Sequence, residues 1–181
     1  ILFLLKLPQE EIRFAFWVCA GVFITAGADT LINYLFFKRK IIPKSAIISG
    51  FIISGIIDYH QSWLILVIFS LLAVISKYLI SIKGRHIFNP ANLSLFLATL
   101  FRIPLTWNIE TNIYLVIVFG MYLTYSLKKI PHLLGFLIFF IPLFATQGIN
   151  PSTFINWFFV FVMLIEPKTS GSGLIRGFIF G

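Results

Sequence analysis

The sequence predicts an all-α, polytopic membrane fold of about six or seven segments, and three observations carry that prediction. Apolar residues make up 59% of the 181-residue chain and charged residues only 11%, against about 25% in a chain that builds a water-exposed surface. Most of the charges sit in short loops between apolar runs. Two of those runs, 45–57 and 90–101, are too short for a lone bilayer crossing, which takes about 20 residues, and each has a proline at or just before its start. Short, proline-opened segments are the pattern of discontinuous helices, which present backbone groups to a ligand inside a membrane. The whole chain, 1–181, then reads as one integral membrane domain. No stretch leaves room for a dinucleotide fingerprint or a phosphate-binding loop.

The elements follow in order. A long span runs from Ile12 to Phe37 and stops on Lys38-Arg39-Lys40. The short segment 45–57 follows Pro43, and a full span runs from Ser62 to Ile82. The basic turn Lys83-Gly84-Arg85-His86 leads into Phe88-Asn89-Pro90-Ala91 and the second short segment. Further spans are expected at 113–127, at 132–146 with Pro142 inside, and at 153–165, with a last helix starting near Gly173. The two short segments hold the second and fourth places among the first four, a pairing that matches the inverted-repeat logic of transporter-like folds. The first residue is Ile and Gly181 falls inside an apolar run, so we expect a fragment at one or both ends. No basic start or small-residue cleavage pattern marks a signal peptide.

The net charge of +8 does not point to nucleic acid, because the basic residues alternate from loop to loop. Loops 38–44, 83–86 and 128–132 are basic, whereas 58–61, 102–112 and 147–152 share a single basic residue, Arg102. The positive-inside rule therefore places the first set in the cytoplasm; the expected location is a prokaryotic inner membrane, with the lipid bilayer as the chain's solvent.

Several residues stand out within this frame. Pro90 suits a first helical turn and Asn89 can cap it, which makes this stretch either an ordinary helix cap at the interface or a positive helix end suited to an anion, a carbonyl or a flavin oxygen. Asp29 lies eight residues, about 12 Å, from the inner end of its span. An acid at that depth needs a partner or a water path, and Lys77, at a comparable depth, can supply the partner or instead snorkel to the interface. Ser45, Ser49 and Ser54, with Gly50 and Gly55, read as a close-packing face of small residues or as a face that lets a ligand approach the backbone. Glu166 lines a site or sits in a solvated pair with Lys168. Cys19 and the scattered His60, His86 and His132 have no metal-ligand spacing, and we expect no metal site.

Three stretches together resemble a known family. They are Ser45-Ala46-Ile47-Ile48-Ser49-Gly50, Gly84-Arg85-His86-Ile87-Phe88-Asn89-Pro90-Ala91 and Met163-Leu164-Ile165-Glu166-Pro167-Lys168-Thr169-Ser170. In order and spacing they are similar to segments of the B subunit of the sodium-pumping NADH:quinone oxidoreductase (Nqr) and the D subunit of the Rnf electron-transport complex, over about Phe14 to Gly181. The resemblance implies a membrane subunit, not catalytic alone, that works with other subunits of a complex to couple flavin-mediated electron transfer to cation translocation. It implies a flavin, FMN or riboflavin, near Ser45, Gly50, Asn89, Pro90, Asn92 and Glu166, with Asp29 and Lys77 as an ion path or buried pair. Many members carry covalent FMN on a Thr in a Ser-Gly-Ala-Thr-like motif of the external loop. Here that loop reads Arg102-Ile103-Pro104-Leu105-Thr106-Trp107-Asn108-Ile109-Glu110-Thr111, so the attachment does not carry over and any flavin is expected to be non-covalent. The alternative expectation is a small-solute channel or transporter of related fold without redox chemistry.

Overall fold

The computed structural model describes residues 12–39, 41–82, 85–86, 88–107, 113–146, 148, 155–165 and 174–180. Apart from one two-residue ladder, every regular element among them is helical. The chain falls into two compact units, 1–111 and 112–181.

The first unit holds α1 (Ile12–Phe37), α2 (Lys44–Ile56), α3 (Trp63–Leu79) and α4 (Pro90–Leu100). Among the described residues, α1 alone is long and apolar enough to cross a membrane, by length and composition. Its buried residues, Phe14, Trp17, Val18, Gly21, Thr25 and Asp29, recur at steps of three and four and so form one stripe. The opposite side is no less apolar, with Phe16, Phe23, Leu31, Leu35 and Phe36 exposed.

Glycine sets how closely α1 and α2 approach. A Cβ on Gly50 would stand 2.7 Å from Val22 Cα, and one on Gly21 would stand 2.7 Å from Ser54 Cβ. Neither can be accommodated without moving backbone or a buried side chain. The hydroxyls in this contact turn back on their own helices, Thr25 Oγ1 to Gly21 O (3.0 Å) and Ser54 Oγ to Gly50 O (2.6 Å), so the interface makes no polar demand.

The helices alternate in direction. At one end Arg13 donates to Gln61 O (3.3 Å), and Phe14 meets Tyr59 while Trp17 meets Trp63. At that same end α2 and the segment after α4 are joined through backbone: Ile57 bridges Leu105, Asp58 N donates to Pro104 O (3.2 Å) and Thr106 N to Ile56 O (2.8 Å). Asp58 closes the neighbouring turn by accepting from the His60 backbone N–H, and its Oδ1 also lies 3.0 Å from His60 Nδ1. Burial acts to raise the Asp58 carboxyl, but these hydrogen bonds and the imidazole charge together hold it below its ordinary value. At the other end α3 leads into β1 (Ser81–Ile82), which pairs antiparallel with β2 (Arg85–His86). The expected span to Ile82 therefore stops three residues early, its tail taken up by this tight turn.

The second unit holds α5 (Ile113–Ser126), α6 (Ile130–Ala145), a π-helix (Phe159–Met163) and α7 (Leu174–Phe180). Gly120 lies against Phe161, with a Cβ there only 2.6 Å from Phe161 Cβ, and Gly135 and Gly177 let α6 and α7 meet in the same way. The expected span 153–165 opens on Asn156, which accepts from Phe159 N (2.8 Å). It then winds as a π-helix, marked by Leu164 N donating to Phe159 O five residues back. Arg102 after α4 and Lys128 after α5 stand at positive φ and close the helices with paired bonds to the last turn, Ile103 N to Ala98 O and Lys129 N to Thr124 O. This is a Schellman stop with a basic residue in the place glycine usually takes.

Candidate functional site

The polar centre of the first unit lies between the C-terminal parts of α1 and α3. Asp29 is 2% exposed and its Oδ1 accepts from Lys77 Nζ and from the Tyr78 hydroxyl, each at 2.6 Å. Asn33, one turn after Asp29 on the same face, donates through Nδ2 to Tyr78 Oη (2.6 Å) and to Asp29 O (2.8 Å). Phe37 stacks on the Tyr78 ring and covers the network from the end of α1. A buried carboxylate is tolerable only when paired and hydrogen-bonded, and this one has an ammonium and a phenol on one oxygen. Tyr78 and Asn33 were not singled out from the sequence. Both had a signal, since Asn33 falls four residues from Asp29 and Tyr78 adjoins Lys77.

The second feature is the start of α4. Asn89 is 7% exposed, and its Oδ1 accepts from Ala91 N (2.9 Å) and Asn92 N (3.4 Å), while its carbonyl accepts from Leu93 N (3.0 Å). Pro90 has no N–H to offer. The donors that the sequence left free for a ligand are therefore taken by Asn89 itself. Asn92 differs: its Oδ1 is buried and has no hydrogen-bond partner among the described residues. Ser94 Oγ donates to Phe69 O (2.6 Å) and fixes the level of α4 against α3. Counting back five residues, about 7.5 Å of helical rise, sets Asn89 level with about Val74, near the depth of Lys77.

The remaining candidates divide. Gly50 is closed off by α1, and Ser45 is half-buried with its carbonyl accepting from Ser49 Oγ (3.1 Å). Small-residue packing accounts for both. Glu166 lies outside the described residues, as do Lys168 and the loop 108–111. The chain thus brings together Asp29, Lys77, Tyr78 and Asn33, and separately sets Asn89, Pro90 and Asn92 at the head of α4. Comparison with protein-family models, with curated proteins and with solved structures found no match.

Proposed function

We propose that the chain is a polytopic membrane subunit of an Rnf/Nqr-like electron-transport complex, in which flavin-mediated electron transfer drives cation translocation. The observation that carries the cation part is the Asp29–Lys77 pair, 2.6 Å apart and walled by apolar helices. Ionisable groups kept at depth inside a bilayer are costly, and they mark ion and proton paths. Membrane residence is supported by the outer side of α1, where Phe23 and Phe36 are 81% and 77% exposed. A helix apolar all round yet only half covered finds its remaining cover in lipid. The backbone stitch between Ile57 and Leu105 joins the loops poor in basic residues at one end, as the alternation of charge requires.

The electron-transfer part rests on the Phe88-Asn89-Pro90-Ala91 resemblance. For a flavin, the buried acceptor left open at the head of α4 among the described residues is Asn92 Oδ1. Asn89 is spent as a cap and Gly50 as a packing contact. The self-satisfied cap favours the second reading, a small-solute channel or transporter of related fold without redox chemistry.

The absorption and fluorescence spectrum of the purified chain, before and after acid precipitation, separates the two. Yellow colour released into the supernatant supports the flavin reading, and colour retained in the pellet means a covalent flavin. A colourless, folded chain that passes solute in liposomes favours the channel.

A further inference from the structure

The outward side of α1 carries a continuous groove. Its deeper part, about 410 Å³, is lined by Phe23, Ala26, Gly27 and Leu31, and its outer part, about 500 Å³, by Arg39 and the returning segment Ile41–Pro43. Thr30 and Tyr34 line both parts and join them. Gly27 makes a notch in the floor, since a Cβ built there would meet no atom within 4 Å. Thr30 Oγ1 is already bonded to Ala26 O (2.8 Å), so the floor asks for no polar partner. The groove is apolar at one end and basic at the other.

We infer that this groove binds an anionic phospholipid of the inner leaflet, with its phosphate on Arg39 beside Tyr34 and one acyl chain along Gly27. The inference rests on the membrane residence proposed above. Two matches support it. From Phe23 to Phe37 the helix rises about 21 Å, which is half of the roughly 40–45 Å that a bilayer spans with its headgroups. Among the described residues Arg39 makes no ion pair, and the charged residues between Thr30 and Ile57 are all basic: Lys38, Arg39, Lys40 and Lys44. Basic clefts at the cytoplasmic side of membrane helices select acidic headgroups. A second copy of this chain seated at Gly27 would leave that charge uncompensated.

The test is retention of dioleoylphosphatidylglycerol against dioleoylphosphatidylcholine by the full chain, read by native mass spectrometry from mixed micelles. The wild type is expected to keep one phosphatidylglycerol at least tenfold more strongly than phosphatidylcholine. Arg39→Gln should remove that preference, and Gly27→Leu should weaken both lipids. Equal retention of the two lipids by the wild type, or a preference that survives Arg39→Gln, overturns the inference, as does a second chain retained in place of lipid. Alkaline carbonate extraction of the same membranes is read in parallel. A chain released by carbonate sinks the membrane reading itself, a failure distinct from loss of headgroup preference in a chain that stays inserted.

Discussion

One stripe of α1 holds its neighbours in two different ways. Toward its start, Gly21 and Thr25 meet Gly50 and Ser54 of α2 with nothing between the helices, and every hydroxyl is settled within its own helix. One turn further on, Asp29 and Asn33 meet Lys77 and Tyr78 of α3 through charge and hydrogen bonds. The first contact depends on shape and tolerates no added volume. The second depends on pairing and tolerates no missing partner. Only the second places charged groups against one another, at 2.6 Å between Lys77 Nζ and Asp29 Oδ1.

The largest effect should come from breaking the pair. Lys77→Met strands a buried carboxylate and is expected to cost about 3–5 kcal/mol. Adding Asp29→Asn should return much of it, a coupling read by a double-mutant cycle in detergent stability. Additive losses would mean that the two ends of the stripe do not differ in kind. Next is shape: Gly50→Val should cost about 1–3 kcal/mol by overpacking against Val22. Gly27→Ala, on the open side of the same helix, should cost nothing and gain up to about 1 kcal/mol. Equal effects at Gly50 and Gly27, by thermal unfolding, would remove the case for a tight α1–α2 contact.

The head of α4 sharpens the comparison with a polar contact that is local. Asn89→Ala should cost about 1 kcal/mol as a lost cap, with Asn89→Ser keeping most of it. Asn92→Ala should leave stability nearly unchanged and change only ligand binding. The smallest effect belongs to Asp58, on the surface, worth up to about 1 kcal/mol. Its carboxyl is held below the ordinary value when folded, so its contribution is present above the unfolded pKa of about 3.9. That contribution is lost as pH falls through the lower folded value. The difference in thermal midpoint between wild type and Asp58→Asn should therefore be present at pH 6 and shrink progressively as pH falls below about 4.

The positions of the helices were legible because apolar runs and basic stops mark them, as at Phe37 before Lys38 and at Ser126 before Lys128. The depth of Asp29 and Lys77 could be counted along their spans. Two things could not be read in the same way. The π-helix at Phe159–Met163 carries Phe161, which lies against Gly120 some forty positions away, and nothing in the local sequence announces it. The fate of Asn89 was also hidden, since a residue that caps its own helix and one that greets a ligand share the same spacing. Only the bonds to Ala91 and Asn92 tell them apart.

The stitch between Ile57 and Leu105 bears on how the first unit can move. It locks the ends of α2 and α4 together through main chain, which no change of charge can release. The other two helices, α1 and α3, meet near the opposite end through Asp29 and Lys77, a contact made by charged side chains rather than main chain. The bundle thus carries main chain across its seam at one end and charge across it at the other.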